Sequence, residues 1–116
     1  MKLSKINKKF IYLISPSKIK NNNFYTDLDL IFSSKKVSFF QLRLKKETSA
    51  NKLIIAKRIK KICKKHKVIF LINDDPKLAR KINADGCHLG QKDMKIIEAR
   101  KILKNKIIGI TCHNSI

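Results

Sequence analysis

Several groups of polar residues sit where apolar runs stop. Gln41, Arg43 and Lys45 alternate with Leu42 and Leu44. In an extended segment, alternation puts the first three side chains on one face and both leucines on the other. An amide and two cations on one face suit an anion, although an edge strand with a solvated face would carry the same pattern. The apolar run Val68–Ile72 ends in Asn73-Asp74-Asp75. Asp75 before Pro76 reads as a helix N-cap, which leaves Asn73 and Asp74 at the tip without a capping role. Two further runs end in His88-Leu89-Gly90-Gln91-Lys92-Asp93 and in Thr111-Cys112-His113-Asn114. Cations suit phosphate oxygens and carboxylates suit a hard, oxygen-seeking cation, so the set fits a magnesium–diphosphate complex. Asp74 and Asp93 are the candidate ligands of Mg2+.

These groups need elements that bring them together. Residues 10–15, Val37–Leu44, Val68–Ile72, Cys87–Leu89 and Ile107–Cys112 read as short apolar strands. Residues 25–33 carry Leu28, Ile31 and Phe32 at helical spacing. Thr48 or Ser49 can cap a second helix whose apolar face holds Leu53, Ala56, Ile59 and Cys63, with lysines and Arg58 opposite. Asp75-Pro76 opens a short helix through Ile82, Ala84-Asp85-Gly86 reads as a turn, and Asp93 can cap a helix to about Lys104. Strand and helix alternate throughout, which predicts a parallel α/β sheet. In such a sheet the strand tips converge, and the mouth is where ligands bind.

Cysteine and histidine offer a weaker alternative. Cys87-His88 and Cys112-His113 are adjacent pairs on strands, so within each pair the side chains face opposite ways and cannot share one ion. His66 reads as a surface residue compatible with a helix C-terminus, and Cys63 as part of an apolar helix face. No nucleophilic residue is evident, and no catalytic residue is assigned.

The 116 residues carry a formal charge of +20. That charge raises nucleic acid or an anionic membrane as partners. Lys is spread along the whole chain, however, and none of the eight aromatics interleaves with the densest lysine run, which disfavours a nucleic-acid platform. The opening MKLSKINKKFIYLISP holds an apolar run too short for a signal core or a membrane span. Three cysteines without a CxxC argue against a disulfide framework, and the cytoplasm is the expected location.

QLRLK at 41–45, IND at 72–74, ADGCHLGQKD at 84–93 and GITCHNS at 109–115 together resemble the thiamine phosphate synthase family. They do so in the family's order and spacing, in a variant found in alphaproteobacteria that has QLRLK where other members have QxREK. The resemblance implies a TIM-type (β/α)8 barrel, of which residues 1–116 would form the N-terminal part, with about five strands of eight. It implies a transferase that joins 4-amino-2-methyl-5-(diphosphooxymethyl)pyrimidine to thiazole phosphate, releasing diphosphate. Gln41, Arg43, Lys45 and Asn73 would hold the pyrimidine diphosphate, with Thr111 where the family usually has Ser. Asp74 and Asp93 would bind Mg2+. Because a barrel of this type needs roughly 200 residues or more, a truncated chain without turnover of its own is expected. Open sheet edges would then favour association. Two other readings compete: a thiazole tautomerase of the same superfamily, and a basic nucleic-acid-binding protein without an enzymatic role.

Overall fold

The computed structural model describes residues 11–90 and 93–110, without the side chains of 93–95. Strands β1 (Ile11–Ile14), β2 (Val37–Leu42), β3 (Ile69–Asn73), β4 (Gly86–Leu89) and β5 (Ile107–Ile110) alternate with four helices. These are α1 (Asn23–Ser33), α2 (Ser49–Lys65), α3 (Pro76–Lys81) and α4 (Asp93–Leu103). The strands form one sheet in the order β1-β2-β3-β4-β5, and every neighbouring pair is parallel. Sequential order means that each crossover returns beside the strand it left. A doubly wound sheet would instead reverse direction at a switch point.

One face of the sheet is covered by helices. Phe40, Leu42, Phe70, Ile72, Cys87 and Leu89 share a buried core with Leu28, Phe32, Ala56, Ile59, Ala79 and Ala99 from the helices. Burial of each large side chain contributes about 2–3 kcal/mol. The small residues on α2, α3 and α4 let those helices lie close against the strands. The other face curls inward. The Tyr12 ring on β1 meets the edge of the His88 ring on β4, with centroids 6.4 Å apart. On a flat sheet, three strand spacings would separate their backbones by about 14 Å. Close approach between β4 and β5 also leaves Gly86 no room for a side chain, since a Cβ there would sit 2.0 Å from the Ile107 carbonyl oxygen.

Local signals explain most boundaries. Thr48 caps α2 by accepting from the Asn51 amide at 3.1 Å. Asp75 caps α3 by accepting from Leu78 at 3.1 Å, with Pro76 in the first turn. Strand β2 ends at Leu42 rather than Leu44 because the Arg43 amide turns to the Ser15 hydroxyl, at 2.8 Å. Gly86 belongs to β4 rather than to the preceding turn, and α1 begins at Asn23, two residues earlier than its apolar spacing suggests. His66 differs from its surface expectation. Its side chain is only 13% exposed, its ring meets Phe32 edge-on, and its Nε2 lies 2.5 Å from Asp29 Oδ1.

Five non-glycine residues adopt positive φ: Lys35, Lys67, Asp74, Asn83 and Lys104. All but Asp74 follow a helix C-terminus, where a left-handed residue closes the last turn and glycine is the usual occupant. Lys35, at φ 61°, donates its amide to the Phe32 carbonyl at 3.0 Å and makes no described side-chain hydrogen bond. Replacing it with glycine relieves left-handed strain of about 1 kcal/mol, so Lys35→Gly is expected to raise the melting temperature by roughly 3–6 °C. An unchanged or lower melting temperature would contradict this account of the cap.

The Asp29 carboxylate is held below its ordinary pKa of 3.8, chiefly by the hydrogen bond with His66 and then by that from Lys65. A depressed carboxylate pKa means the unfolded chain takes up the proton first as pH falls. The contribution is therefore present above the ordinary aspartate range and is lost as pH drops through the folded value. The difference in urea midpoint between the wild type and Asp29→Ala should be full at pH 7 and should shrink as pH falls below 3.8. A difference that stays the same size below that pH would show that the charge is not involved.

Candidate functional site

The inner face of the sheet is built in layers that become more polar toward the strand tips. Phe39 pairs in register with Ile69, Gln41 with Leu71, and Asn73 with His88. Arg43 stands one residue beyond the Leu42–Ile72 pair. Reading up the face, aromatic and aliphatic side chains give way to an amide, then to a guanidinium, a second amide and an imidazole. The alternation expected at 41–45 is present: Leu42 and Leu44 are buried among the helices, while Arg43 and Lys45 are exposed. Gln41 is only 2% exposed. Past the end of β2 the chain stays tied to the segment after β1 through Lys45, whose amide donates to the Ser17 carbonyl at 3.0 Å.

Asp74 is set apart from the other left-handed residues. It follows a strand rather than a helix, with φ 58°. Its amide donates to the His88 carbonyl at 2.7 Å, which fastens the β3 tip to β4. A left-handed aspartate is strained, and such strain gathers where a side chain must be aimed. Asp75 beside it has its carboxylate engaged as the cap of α3. Asp74 stands exposed just past the end of β3.

His88 reports how the tips converge. Burial holds its imidazole below the ordinary histidine pKa; the Asp74 carboxylate pulls it up and the Arg43 guanidinium pushes it down. Side chains from β3 and from the β2 end are thus both felt at one ring on β4. Room for that ring comes from Gly109, where a Cβ would lie 2.8 Å from His88 Nδ1. Below it, Gln41 Nε2 donates to the Tyr12 hydroxyl at 3.0 Å, and Tyr12 stacks on Phe39 at 5.5 Å.

The structure brings Gln41, Arg43, Asn73 and Asp74 to one end of one face. Asp93 begins α4 just beyond the β4 tip, but its side chain lies outside the described residues, as does the whole of Thr111. Among the described residues, no three His, Cys, Asp or Glu side chains cluster in a way that could hold a metal. Tyr12 was not legible from the sequence as a site residue. Its only signal is two-residue alternation with Ile14 in a strand of four residues. His88 was legible as a polar residue at the end of its apolar run and as half of a Cys-His pair, whose partner Cys87 does face the core on the other side.

The buried thiols stay protonated: burial pushes Cys63 up to about 12 and Cys87 up to about 11. A surface depression of about 720 Å3 lies at the opposite end of the sheet, against Lys35, Val37, Phe39, His66 and Lys67. That end is the N-terminal side of the strands, which in barrels of this type serves stability rather than chemistry. Among the described residues no helix is long and apolar enough to cross a membrane.

Comparison with known proteins bears on this arrangement. A family profile described as thiamine monophosphate synthase matches residues 11–116. The thiamine-phosphate synthase of Pelagibacter ubique (strain HTCC1062) is 78% identical over 116 residues, covering all of this chain and 56% of that protein. Thiamine-phosphate synthase 1 of Streptococcus pneumoniae (strain R6) is 37% identical over 109 residues, 91% of this chain and 52% of its own. A solved structure, thiamine phosphate pyrophosphorylase from Pyrococcus furiosus, superposes with a TM-score of 0.76 at 25% identity, covering 90% of this chain and 50% of that one. The chain thus spans about half the length of the curated relatives it matches. Its sequential parallel strands are a segment of a TIM-type barrel. With polar tips converging on one face of that segment and a profile matched from the first described strand to the last residue, the chain belongs to the thiamine monophosphate synthase family.

Proposed function

We propose that this chain supplies the diphosphate-binding side of a thiamine phosphate synthase. On this reading, residues 1–116 are the N-terminal part of the barrel. The reaction joins 4-amino-2-methyl-5-(diphosphooxymethyl)pyrimidine to thiazole phosphate, giving thiamine phosphate and diphosphate. The observation that carries the reading is the gathering of polar groups at the strand tips, with Arg43 just past β2, Asn73 in register with His88, and the Asp74 amide bonded to the His88 carbonyl, in a chain of this family.

The chemistry follows from charge. The bond between the pyrimidine methylene carbon and the diphosphate oxygen breaks, and the electron pair leaves with diphosphate. The carbon becomes cationic, relieved by the electron-rich aminopyrimidine ring, and the thiazole nitrogen then supplies the new bond. Arg43 and Lys45 donate N–H bonds to the diphosphate oxygens, where negative charge grows as the bond breaks. The Asn73 amide holds the same group, and Thr111 supplies a hydroxyl. Gln41, buried deeper in the face, lies against the uncharged ring.

Asp74 fits a hard cation because it is an exposed carboxylate at the tip of β3. A magnesium ion is commonly held by one or two carboxylates together with substrate phosphates. Asp74 and Asp93 would hold it, and it would neutralise charge on the departing diphosphate. No covalent nucleophile is needed, in keeping with the protonated, buried Cys63 and Cys87. Those free thiols also suit a reducing cytoplasm.

Calorimetry should detect diphosphate binding by the folded 116-residue chain in the presence of Mg2+. Arg43→Ala should weaken it by about tenfold to a hundredfold, the worth of a charge-assisted hydrogen bond. Asp74→Ala should remove most of the dependence on Mg2+. A soluble, folded wild type that gives no binding would sink the proposal. Salt-sensitive RNA binding with no response to magnesium diphosphate would favour the nucleic-acid reading instead.

The same polypeptide, spanning half the length of its relatives, should give no thiamine phosphate when supplied with both substrates and Mg2+. Product formation above the uncatalysed rate would show that the described face is sufficient for catalysis.

A further inference from the structure

The strands are parallel, so every helix-to-strand loop lies at the end of the sheet opposite the tips. Lys35, Lys67 and Lys104 occupy three of these four loops, all in the left-handed conformation. The fold thus collects at one end lysines that are scattered along the chain. The acids described there are engaged. Asp29 pairs with Lys65 and His66, and the Asp85 carboxylate accepts from the Phe70 amide at 2.7 Å. Lys35, Lys64, Lys67 and Lys104 are exposed and have no carboxylate partner among the described residues.

That end is concave. Lys60, Lys64 and Lys67 line a depression of about 410 Å3, and Lys35, Lys65 and Lys67 line the one of about 720 Å3. Lys67 belongs to both, so the two adjoin and cations run across them. Half-buried Phe39 gives the larger one an aromatic wall. Residue order separates that ring from Lys65 and Lys67, and only the fold sets them together. Cations are favoured at helix C-termini, which accounts for Lys64 and Lys65 in the last turn of α2. It does not account for left-handed lysine past the helix ends, where glycine closes the turn without strain.

We propose that this end binds single-stranded nucleic acid, with phosphates against Lys35, Lys64 and Lys67 and a base against Phe39. A cationic groove that tracks the backbone, with an aromatic ring for stacking, is what such a ligand needs. A small anion would fill one depression and leave the cations of the other unused. A flat membrane would meet the rims and leave the concave floor uncovered. The strand-tip site takes no part, so this inference and the diphosphate reading stand or fall separately.

The test titrates the full 116-residue chain against fluorescent oligouridylate and oligothymidylate of about 12 nucleotides, following anisotropy from low to high salt. RNA and DNA share the chemistry invoked, so binding of either strand supports the proposal. Lys35→Gly/Lys67→Gly removes two phosphate contacts, and the slope of log K against log salt should become shallower by about 1.4. Its melting temperature should not fall, because glycine suits both left-handed positions. Lys57→Ala/Lys61→Ala removes the same charge from the exposed side of α2 and should leave the slope nearly unchanged. An equal change in both double variants would show diffuse attraction and overturn the proposal. So would displacement of the strand by magnesium diphosphate, which would place it at the tips. Failure of both strands to bind at low salt overturns it as well, whether or not phosphatidylglycerol vesicles bind.

Discussion

The curl of the sheet is the constraint on which the rest of the structure depends. Strands that are merely parallel and adjacent would hold their polar tips in a row, each beside its neighbour. Bringing the Tyr12 and His88 rings to 6.4 Å across β1 to β4 requires the inner face to close on itself. The curl follows from helices packing on one side only, where Ala56, Ala79 and Ala99 allow close approach and Phe40 and Phe70 fill the layer. Gly86 and Gly109 act on the other side. One lets β5 lie against β4, and the other leaves space for an imidazole.

Given that curl, the polarity of the inner face becomes a gradient in depth. Apolar and aromatic groups lie low, a buried amide lies between, and charge is confined to the top. Arg43, Lys45 and Asp74 are exposed there, where water keeps the cost of placing polar groups low. His88 sits at the boundary, where burial and two opposite charges compete for its proton. The net charge of +20 adds a long-range attraction for anions and speeds their arrival without selecting among them.

Parts of this were readable from residue order. The five strands and four helices follow from apolar periodicity, from Thr48 and Asp75 as caps, and from Pro76 in a first turn. The shared face of Gln41 and Arg43 follows from alternation alone. Other features were hidden for identifiable reasons. β2 stops at Leu42 because its next amide bonds to Ser15, a residue 28 positions away. Lysine rather than glycine closes three helices in the left-handed conformation, so the usual sign of a helix end is missing there. His66 is drawn inward by Asp29, on a different helix, and no local pattern announces that pairing.

Alternation and spacing by themselves determined the class of fold and the kinds of group at the strand ends, because both depend on near neighbours in the chain. They also assigned Leu42 and Leu44 to the core and Arg43 to the opposite face. Tertiary structure alone decided which tips meet and how deep each group lies. Tyr12 beside Gln41, and Arg43 with Asp74 around His88, depend on the register and curl of strands up to 76 residues apart along the chain. Those distances are set by helices packed against the far side of the sheet, and a strand of four residues carries no record of them.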